Sequence, residues 1–280
     1  MDGAKFRAIA VFNQKGGISK TTTASNLAVC LAALGRSVLL VDLDAQGDST
    51  KSFLRDEPRV GVFDVLTGRA RLEDAVLASP FPGLAVLPST IDLAGIEFAL
   101  ADHQNSNRLL ANILAQYDID CDYIVIDCPP ALSVLPVNAL TAADSVVVPV
   151  TASPFATDGL LRTLPSVKYI QGGLNKKLRL HGILFTIVER GLSPHKIELA
   201  TRKRLGEAVY ASTIPKDRNV IAAAEAGLPV CVHAPGSRAG LAYADFAVEF
   251  LERQGDLRDV APQAARDRLT DRLAEWRDKV

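Results

Sequence analysis

Short apolar runs alternate along the chain with stretches whose apolar residues recur at helical spacing. Several runs, such as residues 38–41 (VLLV), contain no polar position, which is typical of strands buried on both faces of a parallel sheet. The alternation predicts an α/β fold with a single doubly wound, mainly parallel sheet flanked by helices. We predict strands near residues 7–13, 37–43, 84–88, 122–127, 145–150, 181–188 and 208–213. We predict helices near residues 20–34, 106–116, 134–142, 156–170, 194–206, 217–226 and 238–253.

The pattern also divides the chain into a domain and an extension. No repeat or linker interrupts residues 1–254, so we predict one domain there, followed by a break over 255–262 and a helical extension that completes residues 255–280. Packing on its own domain is the simplest role for this extension, and a partner-binding or dimer-supporting helix is the second. Membrane attachment is least supported, because the polar face carries both charge signs. The narrow apolar stripe of the extension consists of Leu269, Leu273, Trp276 and Val280.

Composition places the chain among ordinary globular proteins. It has 280 residues, of which 48% are hydrophobic and 22% charged. No basic segment followed by an apolar one opens the chain, and no apolar run approaches the roughly 20 residues of a membrane span, so we expect a cytoplasmic protein. The cysteines form no CxxC pair, and we interpret them as buried free thiols; they are Cys30, Cys121, Cys128 and Cys231.

Charge is distributed unevenly although the net charge is only −1. Residues 1–159 carry 11 Lys and Arg against 18 Asp and Glu, whereas residues 160–254 carry 14 against 8. The basic half is therefore a candidate surface for nucleic acid.

A glycine-containing loop, residues 15–22 (KGGISKTT), follows the first apolar run. A strand, a glycine turn and a helix start leave backbone N–H groups pointing at one spot, at the positive end of the helix dipole, and phosphate binds there. In such a loop Lys20 reaches the β- and γ-phosphates and the Thr21 hydroxyl binds Mg²⁺. The alternative is a tight turn with incidental lysines. The loop therefore predicts a nucleoside triphosphate site.

The loop departs from the usual P-loop, which has glycine where this chain has Gln14 and Ser19. It follows a variant in which an additional lysine, Lys15, precedes a Gly-Gly pair. If position 19 requires a positive φ, serine introduces strain there.

Two predicted strands end in acidic residues, and in parallel sheets the carboxyl ends of strands share one crevice with the ligand. Asp127 is suited to hold Mg²⁺ through water, and Asp44 to orient the attacking water. Lys15 and Lys20 supply positive charge to the γ-phosphate. For Asp42, capping of a helix is as well supported as catalysis.

These motifs resemble the ParA/MinD family of deviant Walker-type P-loop ATPases, most closely its ParA partition branch. The resemblance covers roughly residues 5–252. Residues 15–22, 42–47 (DLDAQG), 127–130 (DCPP), 138–145 (NALTAADS) and 214–215 (IP) carry it, and they occur in the family's order.

The resemblance implies ATP and Mg²⁺ as cofactors and a homodimer that sandwiches two ATP molecules. It implies that Lys15 reaches the partner's nucleotide, that Lys20 binds phosphate, that Asp44 acts on the hydrolytic water, and that Asp127 is the Walker B acid. Thr21 and Asp127 would hold Mg²⁺, with Asp44 as a further carboxylate acting through water. The nucleotide-binding residues would be Lys15, Gly16, Gly17, Ile18, Ser19, Lys20, Thr21 and Thr22, with Pro215, Lys216 and Asp217 near the adenine.

The first functional hypothesis is a nucleoid-associated positioning ATPase. Its ATP-bound dimer would bind double-stranded DNA without sequence preference, and a ParB-like or other cargo adaptor would stimulate hydrolysis, which we expect to be slow otherwise. Because the first strand begins almost at once, we expect no sequence-specific operator reading. Phosphate contacts need lysines and arginines, and the candidates are Lys176, Lys177, Arg179, Arg202, Lys203, Arg204, Lys216, Arg218 and Arg238.

Three alternatives are weaker. A membrane-associated regulator of the MinD kind is poorly supported by the mixed charge of the extension. An ATP-driven electron-transfer or metal-carrier subunit would need a cysteine pair as cluster ligands, which the spacing does not offer. A tyrosine kinase would need a tyrosine-rich tail, and no tyrosine follows Tyr243.

Overall fold

The computed structural model describes residues 6–116, 120–153, 156–189, 191–257 and 260–280; residues 258 and 259 of the expected break lie outside them. Eight strands form one sheet in the order β3-β4-β2-β5-β1-β6-β7-β8, and every neighbouring pair is parallel except β3 and β4. The predicted doubly wound parallel sheet is confirmed. The strands are β1 Arg7–Val11, β2 Val38–Asp42, β3 Leu77–Ala78, β4 Leu84–Leu87, β5 Tyr123–Asp127, β6 Ser145–Thr151, β7 Arg179–Val188 and β8 Val209–Pro215.

Helices cover both faces of the sheet. The helices of eight or more residues are α1 Lys20–Ala33, α6 Leu109–Gln116, α7 Val134–Ala142, α8 Ala156–Gly173, α9 Leu192–Leu205, α10 Arg218–Glu225, α12 Arg238–Arg253 and α13 Pro262–Arg277. The shorter ones are α2 Asp48–Lys51, α3 Val62–Leu66, α4 Leu72–Ala75, α5 Ile96–Ala99 and α11 Val230–His233. Short 3₁₀ turns occupy Ile91–Gly95, Ser106–Arg108 and Gly206–Ala208.

The strands separate two apolar cores because successive side chains point to opposite faces. Ile9 and Val11 of β1 pack in one core with α1, α11, α12 and α13, whereas Ala8 and Ala10 pack in the other with α3, α6, α7 and α8. All of these strand residues are fully buried, as the uninterrupted apolar runs predict.

The sequence pattern located all seven longer strands but missed β3, which is two exposed residues long. It also missed the short helices α2 to α5, because an apolar period cannot be read over four or five residues.

The C-terminal helix α13 packs on the domain. Its residues Leu269, Leu273 and Trp276 are buried in the same core as α1 and α12, and the Trp276 ring lies 5.4 Å from the ring of Phe81. Arg272 donates a hydrogen bond to the carbonyl oxygen of Ala33 at the end of α1, over 3.1 Å. The apolar stripe of the extension therefore faces its own domain. No helix in the described ranges is long and apolar enough to cross a membrane.

We expect replacement of the buried Leu273 by alanine to lower the free energy of unfolding by about 2–5 kcal/mol, because it leaves a cavity in this core. Glu275→Ala on the exposed face of the same helix is the matched control and should change it by less than about 0.5 kcal/mol. Urea denaturation of both variants measures the difference. Equal stability of Leu273→Ala and the control would show that α13 does not contribute to the domain core.

Candidate nucleotide-binding site

The loop between β1 and α1 contains two residues in the left-handed conformation. Gly17 has φ 69°, and Ser19, the residue before the first turn of α1, has φ 65° and ψ 34°. Position 19 thus has the positive φ that glycine adopts freely and serine does not. The Ser19 side chain makes no capping hydrogen bond, so nothing local offsets this strain.

Hydrogen bonds to three other elements, β6, α8 and β7, hold the loop in place. The Asn13 side chain accepts from the Lys15 backbone N–H over 3.0 Å and donates to the Pro149 carbonyl over 2.8 Å. The Thr163 hydroxyl on α8 donates to the same Asn13 oxygen over 3.0 Å, and the Thr186 hydroxyl on β7 donates to the Ile18 carbonyl over 3.0 Å. Sequence reasoning missed these three positioning residues. Asn13, a polar residue directly after a buried strand, carried the only readable signal.

Lys20 lies inside this loop. Its side chain is buried, and its Nζ donates to the carbonyl oxygen of Lys15 over 3.0 Å. Burial lowers the pKa of Lys20, while the negative charges of Asp127 and Asp44 act in the opposite direction. An ammonium group removed from water in this way is stabilised by an anion placed next to it.

Asp42 at the end of β2 has a structural role. Its carboxylate accepts from the Asp44 backbone N–H over 3.0 Å, from the Thr50 N–H over 2.8 Å and from the Thr50 hydroxyl over 2.7 Å. Burial raises the pKa of Asp42 to about 6, although these hydrogen bonds act to lower it. Asp42 therefore fixes the segment that carries Asp44 and caps its short helix, which is one of the two roles the sequence left open.

Asp127 at the end of β5 is fully buried, and its two oxygens differ. The Ser49 hydroxyl donates to Oδ2 over 2.7 Å, whereas no described residue donates to the buried Oδ1. Burial, with the neighbouring Asp42, raises its pKa to about 8, while the hydroxyls of Ser49 and Thr21 act in the opposite direction. A hard cation is the partner that an unpaired buried carboxylate oxygen beside a threonine hydroxyl fits. Thr21 and Asp127 are thus suited to hold Mg²⁺.

Asp44 and Lys15 are half-buried on the same edge of the sheet. Asp44 Oδ1 accepts from the Gln46 N–H over 3.1 Å, which fixes the carboxylate within its turn. Its charge raises the pKa of Lys20, so the two groups are electrostatic neighbours. Gly16 and Gly17 are exposed, and a Cβ added at either would meet nothing within 4 Å.

The residues expected near the adenine lie at the carboxyl end of β8, three strands from β1 on the same edge. Lys216 forms an ion pair with Glu189 over 2.6 Å. Asp217 caps α10 by accepting from the Asn219 N–H over 3.0 Å. Pro215 ends β8.

The candidate DNA-binding residues are not brought into one patch. Those at 176–179 and 202–204 lie near the amino ends of β7 and β8, whereas Lys216, Arg218 and Arg238 lie at the opposite edge. Arg202 is committed to Glu198 over 2.9 Å and to the Tyr210 carbonyl over 2.6 Å. The side chains with no hydrogen bond or ion pair to any described residue are Lys176, Lys177, Arg179, Lys203, Arg204 and Arg218.

The fold and this loop define a P-loop nucleotide-binding protein, and comparisons with known proteins specify which kind. A family model described as an AAA domain matches residues 6–180. The chain is 36% identical over 261 residues to the chromosome partitioning protein ParA of Caulobacter vibrioides, covering 91% of this chain and 98% of that one. It is 42% identical over 251 residues to the chromosome-partitioning ATPase Soj of Thermus thermophilus, covering 89% and 97%.

Among solved structures, a protein from Mycobacterium smegmatis described as cobyrinic acid a,c-diamide synthase, with bound ADP and magnesium, superimposes with a TM-score of 0.77 at 35% identity. The alignment covers 89% of this chain and 96% of that one. The chain belongs to the ParA/MinD family of P-loop ATPases.

The strain at Ser19 can be tested on the ligand-free protein. Ser19→Gly removes a cost of roughly 1–2 kcal/mol for a side chain at positive φ and adds roughly 0.5–1 kcal/mol of backbone entropy, so we expect a gain in stability of roughly 0.5–1 kcal/mol. Gly17→Ala places a side chain at φ 69° and should destabilise, whereas Gly16→Ala, outside the positive-φ region, is the neutral control. Denaturant titration compares the three. A loss of stability in Ser19→Gly would contradict the strain.

Proposed function

We propose that this protein is an ATP- and Mg²⁺-dependent partition ATPase that positions a cargo on DNA. The observation that carries the proposal is a buried lysine, Lys20, in the electrostatic field of Asp127, whose buried Oδ1 has no donor among the described residues, at the strand-to-helix loop of a parallel sheet. The chain matches the chromosome-partitioning relatives ParA and Soj over nearly their whole length, which supports the partition role.

The phosphate site follows from the loop geometry. The backbone N–H groups of the loop at the start of α1 face the anion, and the positive end of the α1 dipole adds to them. Lys20 exchanges its bond to the Lys15 carbonyl for phosphate oxygens, so its buried charge gains an anionic partner. Thr21, and Asp127 through water, would hold Mg²⁺, which would supply positive charge to the phosphates.

Hydrolysis needs a group that orients the attacking water. Asp44 fits this role because its carboxylate is only half-buried, while Asp42 and Thr50 fix the segment behind it. We infer that Lys15 adds positive charge from the partner subunit of an ATP-bound homodimer, since its backbone is fixed by Asn13 while its side chain is bound by no described residue.

These roles separate in two variants. We expect Lys20→Ala to weaken binding of ATP·Mg²⁺ at least about 100-fold, because it removes several charge-assisted hydrogen bonds of roughly 1.5–3 kcal/mol each. Asp44→Ala should bind ATP within about twofold of wild type and hydrolyse it about 10²–10⁴-fold more slowly. Calorimetry measures binding, and phosphate release measures turnover.

Asp48→Ala is the matched control for Asp44→Ala. Asp48 is the next acidic residue in the same segment, is exposed and pairs only with Lys51, so its replacement should leave turnover unchanged. Wild-type turnover in Asp44→Ala, or an equal loss in both variants, would contradict the role of Asp44.

We propose that the DNA contact is non-specific, is made by the ATP-bound dimer, and places the protein on the nucleoid. Exposed lysines and arginines that have no partner among the described residues are available for phosphate contacts, and a dimer doubles their number. A cargo adaptor that stimulates hydrolysis would then release the dimer. The membrane alternative is disfavoured, since the apolar stripe of α13 is buried on its own domain.

We expect a random-sequence duplex to bind with ATP·Mg²⁺ and not with ADP, and the logarithm of its affinity to fall linearly with the logarithm of salt concentration. The double variant Lys203→Ala/Arg204→Ala should reduce that slope by up to about 2, roughly one for each lost phosphate contact. Arg59→Ala, an exposed arginine in the acidic half, is the control. Fluorescence anisotropy of a labelled duplex measures the affinity in both nucleotide states. Equal binding with ATP and ADP would overturn the DNA proposal.

A further inference from the structure

A cavity of about 500 Å³ opens at the edge of the sheet opposite the nucleotide loop. Its walls come from the amino ends of β1, β6 and β7 and from the end of α12. Because β1 runs for five residues, the cavity lies about 17 Å from the start of the loop. It is of a size that holds a small molecule and is separate from the ATP site.

Three arginines line this cavity, and they differ in how many of their N–H groups already donate hydrogen bonds. Arg253 is largely occupied: it pairs with Glu249 over 2.7 Å and donates to the Glu207 and Val209 carbonyls. Among the described residues, Arg7 makes two long hydrogen bonds of 3.4 Å and a 3.9 Å ion pair with Asp256.

The backbone N–H of Arg179 donates to the Asp144 carbonyl over 3.0 Å, but its guanidinium makes no hydrogen bond or ion pair to any described residue, so none of its five N–H groups has a partner among them. Two arginines at the cavity therefore have donors to spare.

Two acidic residues close to these arginines, Glu249 and Asp256, are already paired with Arg253 and Arg7 respectively. The one acidic residue in the wall, Asp144, already uses a carboxylate oxygen to accept from the Ala8 N–H over 2.8 Å. His181, also in the wall, has its pKa lowered to about 4, chiefly by burial and to a smaller extent by the positive charges of Arg253, Arg179 and Arg7. The Ser145 hydroxyl, buried in the wall, has no hydrogen-bond partner among the described residues.

We propose that this cavity binds the phosphate group of a small phosphorylated molecule, with Arg179 and Arg7 as its principal ligands. The planar guanidinium forks match phosphate oxygens in bidentate geometry, and the three arginines in the wall of this cavity outnumber its single acidic residue, Asp144. The cavity is larger than a phosphate ion requires, which leaves room for the body of the ligand. The same phosphate chemistry is also present in the DNA backbone, so the test separates the two sources.

The test is calorimetric titration of the full chain with inorganic phosphate at constant ionic strength, with the ATP site filled by a non-hydrolysable ATP analogue and Mg²⁺. We expect saturable binding that Arg179→Gln and Arg7→Gln each weaken at least about 10-fold. Lys177→Gln, an exposed charge two residues from Arg179 and outside the cavity wall, should leave it unchanged. Arg179→Lys keeps the charge without the fork and should fall between them, which guards against misfolding of the glutamine variants.

Two results would overturn the proposal. The first is no saturable phosphate binding, or binding that Arg179→Gln and Arg179→Lys leave unchanged. The second is a duplex DNA affinity that depends on Arg179 and Arg7 while free phosphate does not bind, which would assign the cavity to the DNA backbone. Binding of ATP at the loop is unaffected in either case, so failure of this proposal is distinguishable from failure of the proposed nucleotide site.

Discussion

The structure depends on the burial of charge where β2 and β5 end side by side. Asp42 and Asp127 are register partners in this parallel pair, both are fully buried, and Lys20 lies close by with 7% of its surface exposed. Unpaired charges in such an environment cost several kcal/mol each, so every hydrogen bond around them constrains the fold. Thr50 donates to the Asp42 carboxylate with both its backbone N–H and its hydroxyl, and the Ser49 hydroxyl donates to one oxygen of Asp127. The oxygen without a donor among the described residues, Asp127 Oδ1, is the one suited to a cation.

A second set of hydrogen bonds connects the nucleotide loop, residues 15–22, to elements that are distant in sequence. Asn13 joins the loop to β6 through Pro149 and to α8 through Thr163, while Thr186 joins it to β7. Three neighbouring strands and one helix thus define the backbone path that ends in the left-handed Ser19. The strain there persists because the surrounding hydrogen bonds over-determine it. A serine is tolerated where most of the loop's conformation is imposed from outside.

The sequence predicts the sheet and most of the site, and its failures have identifiable causes. Uninterrupted apolar runs located seven strands, and acids directly after two of them located Asp42, Asp44 and Asp127, because strand ends in a parallel sheet must meet. The supports Thr163 and Thr186 were not predictable, since each lies about 150 residues or more from the loop residue it contacts. Asp42 is a buried structural residue and Asp44 a half-buried one because Asp42, not Asp44, accepts from Thr50, and that contact is set by tertiary structure.

The positions of the basic residues relative to one another could likewise not be predicted from the sequence. A parallel sheet sends residues close in sequence to opposite edges, so the excess of positive charge in residues 160–254 does not amount to one surface. Lys216 and Arg218 follow β8 and lie on the edge of the nucleotide loop, whereas Arg179 begins β7 and lies at the far edge with Arg7, which is 172 positions earlier. Charge counting along the chain had assigned Arg179 to a DNA surface and Arg7 to none. The sheet topology places both arginines at one cavity. What distinguishes this cavity is that their guanidinium N–H groups are not all used by other described residues.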